Sequence, residues 1–270
     1  RLEKIKLGLN LATLIGHNSV RREVMGSANR LATEDEIVKM QALVDKAMRD
    51  GAVGFSTGLI YIPGTYSDTR EVVALAKAAG KYNAVYASHM RDEGAKIREA
   101  ITEAVTAGRE SGLRVQISHF KIDAPKLWGM SKDSVALVEK FRSEGVDVVV
   151  DQYPYDHAST NLGITLPSWA LADGQKAIEE RLASAETRKR IATEMKKLLL
   201  DLGHDDYSYA TVANYGANEK YNGKNISEIN VIEGRAKSLD NEVETILTMI
   251  AKGGAQMVYH SMGMDDVERI

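Results

Sequence analysis

The sequence predicts an α/β fold built on a parallel sheet, and three observations carry that prediction. Five short apolar stretches alternate with four amphipathic helical patterns between residues 10 and 150. The strand candidates are apolar along their whole length, as in sheets covered by helices on both faces. The helical stretches carry their own start and stop signals. Alternation of this kind suits a closed barrel and an open sheet equally.

The elements follow in order. Residues 10–15 form a short apolar run, and Thr33-Glu34-Asp35-Glu36 is a capping-box pattern that opens a helix to about Met48. Ala52-Val53-Gly54-Phe55-Ser56 reads as a buried strand. Ser67-Asp68 marks a helix start, and residues 71–81 place Val72, Leu75, Ala76 and Ala79 on one face. Ala84-Val85-Tyr86-Ala87-Ser88 is the third strand. A long helix over residues 93–111 carries Ile97, Ala100, Ile101, Ala104 and Val105 at helical spacing, and Gly112 stands where a C-cap glycine is expected. The fourth strand spans 114–118. Ser131 is read as the cap of a helix to about Glu144, and Val146-Asp147-Val148-Val149-Val150 as the fifth strand. Beyond Pro154 the rhythm breaks, with helical stretches over 175–182, 186–202 and 241–251 and candidate strands at 209–213 and 255–259.

Composition narrows the function classes. With 270 residues, 44% hydrophobic and 27% charged, the chain can bury a sizeable core. Lys and Arg number 35 against 38 Asp and Glu, so a net charge of -3 gives no electrostatic reason to expect nucleic acid or an anionic membrane. The absence of Cys excludes a disulfide framework or a thiolate metal site within this chain. No apolar run is long enough to span a bilayer and no export pattern is seen, which makes the cytoplasm the default expectation. The start at Arg1 and the stop after Asp265-Asp266-Val267-Glu268-Arg269-Ile270, which reads as the opening turn of a helix, lead to the expectation of a piece of a longer protein.

The chemistry lies in an echo. Tyr86-Ala87-Ser88-His89 and Gln116-Ile117-Ser118-His119 each put a His at the carboxyl end of a predicted strand, thirty positions apart. That separation is one βα unit, so adjacent parallel strands would deliver both imidazoles to the rim where α/β folds place their sites. A lone His would more simply cap its strand. Two at matched ends point instead to a divalent metal such as zinc, which needs further ligands and an open position for water. Asp151, His17, His157, His204 and His260 are the remaining local candidates. Lys121 should project beside His119 and could bind an anionic group, while Asp151, Tyr153 and Tyr155 should share one side of the fifth strand. Asp92 and Glu93 read as ordinary residues at a helix N-terminus. The stretch from Gly58 to Gly64 suits a substrate-contacting loop, and Gly16-His17-Asn18-Ser19 a tight turn. Dinucleotide, NTP and serine-hydrolase motifs are absent, and Met40, Met48 and Met195 read as core.

These residues resemble the N-acyl-D-amino-acid deacylases, or D-aminoacylases, of the metal-dependent amidohydrolase superfamily. The likeness runs through Gly16-His17, Arg21 to Gly26, Gly51 to Tyr61, Ser88 to Gly94, Gln116 to Lys121 and Asp151 to Tyr155. The resemblance implies a (β/α)8 TIM barrel, of which residues 1–270 would be an incomplete central fragment. An irregular insertion is expected at about 156–250, with the barrel start, last strand and small β domain missing. It implies zinc at His89 and His119 and substrate contacts at Tyr61, Lys121, Tyr153 and Ser159, with Lys121 and Tyr153 on the substrate carboxylate. Phe120 stands where relatives often have His. The family's H-x-H, its metal-binding Cys and its catalytic Asp in a Ser-Asp-Gly segment have no counterpart, so the general base is expected outside this chain.

The expected function is zinc-dependent hydrolysis of N-acyl-D-amino acids, small molecules that need neither nucleic acid nor membrane. A cyclic-amide amidohydrolase of dihydroorotase or hydantoinase type and a catalytically inactive binding module are the alternatives.

Overall fold

Apolar strands too short to be stable alone gain their place by pairing in sequence order. The computed structural model describes residues 8–270; residues 1–7, included in the expected domain, lie outside the described residues. The strands β1 (Leu14–Gly16), β2 (Gly54–Gly58), β3 (Val85–His89), β4 (Arg114–Ile117) and β5 (Val148–Val150) form a parallel sheet in the order β1-β2-β3-β4-β5. The register sets Gly58 level with His89 and Ser88 level with Ile117. Consecutive strand ends therefore fall along one rim.

The helices α1 (His17–Met25), α2 (Glu34–Arg49), α3 (Thr69–Gly80), α4 (Ile97–Ser111) and α5 (Ser131–Ser143) accompany this sheet. Their starts and stops are written locally. Thr33 and Glu36 form the reciprocal capping box, Asp68 accepts from the Glu71 N–H, and Gly112 takes the left-handed conformation at φ 71°. The face predicted on α3 is buried, with Val72, Leu75, Ala76 and Ala79 sealed from solvent against Phe55, Tyr86 and Ile101 in the same core. Met40 and Met48 join that core.

Three expectations change. Gly16-His17-Asn18-Ser19, read as a tight turn, is instead the start of α1, with Gly16 as its N-cap. Helix α4 begins at Ile97 rather than residue 93, because Asp92 Oδ1 accepts from the N–H groups of Gly94 and Lys96 and holds that stretch as a loop. Ser131 is the first residue of α5 rather than its cap. The carboxylate of Asp266 instead takes the N–H groups of Gly129 (2.7 Å) and Ser131 (3.1 Å). Asp266 belongs to α10 (Met264–Arg269), which packs on α5.

The chain beyond Pro154 builds a second layer. Strands β6 (His157–Asn161), β7 (Ala210–Asn214) and β8 (Gln256–His260) form an antiparallel sheet with β8 in the centre. Helices α6 (Gln175–Ala183), α7 (Ala185–Leu202), α8 (Ile226–Ile232) and α9 (Leu239–Ala251) lie beside it. They share a second core that includes Ile191, Met195, Leu199, Met257 and Leu247. The region set apart at about 156–250 thus lies within this layer, which also takes in β8. Side-chain bonds join the two layers: Tyr66 OH donates to Ser168 O at 2.6 Å, and Thr160 Oγ1 to Tyr61 OH at 3.3 Å. Among the described residues no helix is long and apolar enough to cross a membrane.

Candidate functional site

Strands β3 and β4 are neighbours, so the thirty-residue echo becomes a spatial pair. His89 closes β3. His119 stands two residues past the end of β4, where its backbone enters the left-handed region at φ 41°. That torsion is uncommon for a residue with a side chain and is typical of functional sites. It is held by Asp151, whose Oδ1 accepts from the His119 N–H at 2.7 Å while Oδ2 accepts from Gln116 Nε2 at 2.5 Å.

The two rings face each other with centroids 4.4 Å apart, and His89 Nδ1 contacts His119 Nε2. Partial desolvation, and then the neighbouring His119, pushes His89 below its ordinary value, favouring the neutral imidazole that ligates metals. Two facing imidazole nitrogens are a donor pair that fits zinc as half of a tetrahedral set. Among the described residues no group of three or more His, Cys, Asp or Glu is arranged to hold an ion.

Behind His119 lies a buried ion pair. Glu93 Oε2 is 2.5 Å from Lys121 Nζ, and Glu93 Oε1 is 2.9 Å from His119 Nδ1 without a hydrogen-bond alignment. Burial alone would raise the Glu93 carboxyl, but Lys121 and His119 more than offset it and hold it below its ordinary value. Lys121 also donates to His119 O at 3.1 Å. The placement corrects the view of Glu93 as a helix-terminal residue: it is a buried support for two candidate site residues. A carboxylate four positions beyond a strand-end His, in a stretch without helical start signals of its own, was the available clue.

The other predicted residues divide. Tyr61 lies beside His89, with ring centroids 6.4 Å apart. Tyr153 stacks on Tyr155 at 4.7 Å, its ring 5.9 Å from Lys121 Nζ. Its hydroxyl is buried without a hydrogen-bond partner, and burial raises its pKa far above the ordinary value, so it remains a proton donor. Ser159 is engaged in the antiparallel sheet, donating to Met257 O at 2.9 Å and accepting from Gln256 Nε2 at 3.1 Å. Phe120 is buried in the first core.

The additional ligand candidates fall elsewhere. His17 is sealed in the interior with Nε2 2.7 Å from Glu71 Oε1, and Arg21 contacts the other oxygen of that carboxylate. Asp151 braces the His119 backbone. His157 and His260 stack at 5.0 Å and share Asp156, while His204 stacks on Tyr209 at 3.6 Å.

No family model matches the chain. A D-aminoacylase of Alcaligenes xylosoxydans xylosoxydans is 38% identical over 154 residues, 57% of this chain and 32% of the relative. An N-acyl-D-aspartate deacylase of the same organism is 32% identical over 220 residues, 80% of this chain and 42% of the relative. The chain resembles the N-acyl-D-amino-acid deacylases along most of its length. It is also similar to the crystal structure of an N-acyl-D-glutamate deacylase from Bordetella bronchiseptica complexed with zinc and a phosphonate mimic of the reaction's tetrahedral intermediate. The TM-score is 0.76 at 27% identity, covering 99% of this chain and 47% of that one. This chain thus spans about a third to just under half the length of these relatives. Its parallel sheet is part of the TIM barrel of the amidohydrolases.

Proposed function

We propose that the whole protein hydrolyses the amide bond of N-acyl-D-amino acids to a carboxylate and a free D-amino acid, using zinc. The observation that carries this reading is the convergence of His89 Nδ1 and His119 Nε2 at the carboxyl rim of a parallel sheet. Similarity to the N-acyl-D-amino-acid deacylases, one of them crystallised with zinc, supports it.

His89 and His119 would hold the metal. Bound there, zinc supplies a Lewis acid that lowers the pKa of water and polarises the acyl carbonyl. His119 turns Nε2 to the site, while its Nδ1 faces the Glu93–Lys121 pair, 2.9 Å from both Glu93 Oε1 and Lys121 Nζ. Lys121 and Tyr153 bind the substrate carboxylate, the first as a cation steadied by Glu93 and the second as a donor with no competing partner. Tyr61 closes the site beside His89. Ser159 joins only by exchanging its bond to Met257 O. In this reading the barrel has an insertion at about 156–250 beside its mouth, and the remaining ligands and the general base come from the rest of the protein.

In the full-length protein, His119→Ala should lose bound zinc and deacylase turnover together. Undiminished turnover with full zinc content would overturn the assignment.

A further inference from the structure

Beside the candidate site lies a cavity of about 810 Å³, within the ~300–1,000 Å³ expected of small-molecule sites. Tyr61 and Glu93 are part of its wall, so it adjoins the histidine pair on one side and the Lys121 ion pair on the other. The loop after β2 contributes Ile60 and Ile62. The second layer contributes Ile164, Leu166, Trp169 and, from α7, Leu198.

Several of the charged groups in this wall already have partners. Arg91 makes paired contacts of 2.9 Å to Glu103 and donates to Thr65 O at 3.2 Å. Lys197 is 2.5 Å from Asp201. Arg22 is exposed and donates to Ile62 O at 3.3 Å. Among the acids, Asp92 accepts from its own loop, Glu93 faces Lys121, and Glu194 accepts from Trp169 Nε1 at 2.7 Å and from Arg190 Nε at 2.8 Å. Trp169 is fixed by that bond and by the Arg190 guanidinium 4.1 Å from its ring centre. What remains for a ligand is a broad aliphatic and aromatic surface. A carboxylate deep in it would meet half-buried Asp123 and the already paired Glu93, while among the described residues the wall's cation without an acidic partner, Arg22, is exposed, an arrangement that discriminates against acidic ligands.

We propose that this cavity receives the substrate's side chain, and that the preferred substrates of this protein are N-acyl-D-amino acids with bulky neutral apolar side chains rather than acidic ones. The proposal rests on the deacylase reading above. The side chain branches from the carbon that bears the substrate carboxylate, so a carboxylate held at Lys121 brings the side chain to the adjoining cavity. The relatives include both a D-aminoacylase and an N-acyl-D-aspartate deacylase, and in this wall Arg91 is held by Glu103 while the apolar residues dominate the surface left to a ligand.

The experiment measures kcat/KM of the full-length, zinc-loaded protein for N-acetyl-D-leucine, N-acetyl-D-phenylalanine, N-acetyl-D-glutamate and N-acetyl-D-aspartate. The two apolar substrates should be favoured by at least about tenfold, the scale at which a hydrophobic pocket discriminates. Ile164→Arg and Leu198→Arg should each shrink the leucine-to-glutamate ratio by about tenfold. That ratio is insensitive to the fraction of folded enzyme, since both substrates meet the same preparation. Equal or better turnover of the acidic substrates, or an unmoved ratio in both variants, overturns the cavity assignment while leaving the deacylase reading intact. Failure to hydrolyse any of the four overturns the deacylase reading and the cavity assignment together.

Discussion

Glu93 Oε2 stands 2.5 Å from Lys121 Nζ, and both side chains are buried behind His119. A buried pair contributes little net stability when intact, yet removing one partner strands the other's charge. The Glu93→Gln variant should therefore lose about 3 kcal/mol, measured by urea denaturation. Glu93→Gln combined with Lys121→Met should be more stable than Glu93→Gln alone. A double variant no better than the single would show that Glu93 does not act through Lys121.

The unpartnered hydroxyl of Tyr153 leads to the opposite pattern. Leaving a buried donor unsatisfied costs about 1–3 kcal/mol, so Tyr153→Phe should keep or raise the melting temperature. If the hydroxyl awaits the substrate carboxylate, the same change should raise KM for an N-acyl-D-amino acid. A less stable variant with unchanged KM would assign Tyr153 to the scaffold alone.

The interior triad of Glu71, His17 and Arg21 gives a pH prediction. Burial would raise the Glu71 carboxyl, but His17 and Arg21 more than offset it, leaving it below its ordinary 4.5. A depressed carboxyl stabilises the fold above that value and loses its contribution as pH falls through the folded-state pKa. Glu71→Gln should thus be destabilised by about 3 kcal/mol at neutral pH, with the gap to the native sequence closing only below 4.5. A gap that is constant through acid unfolding would mean that the charge at Glu71 contributes nothing.

Much of this architecture was legible because its signals are local. The Thr33 to Glu36 capping box, the left-handed stop at Gly112 and the apolar runs of β2 to β5 involve neighbouring residues, and the βα spacing brought His89 and His119 together without knowledge of the sheet. What escaped prediction depended on distant partners. Helix α1 lacks a side-chain cap and buries His17 and Arg21 with Val20, so its inner face does not look apolar; only Glu71, about fifty residues on, makes that burial tolerable. Glu93 was hidden for the same reason, since its partners come from the β4 side of the rim. The antiparallel sheet joins β6 to β8 across about a hundred residues, beyond any periodicity in the sequence.

At His119 the main chain itself turns through a positive φ, pinned by the Asp151 carboxylate. Aim is consequently a property of the peptide path and not of rotamer choice alone. A non-glycine residue in that conformation forfeits about 1–3 kcal/mol, so mutations that relax the bend would make the molecule sturdier while letting the imidazole swing off target. Selection for heat resistance alone would push this segment away from ligation.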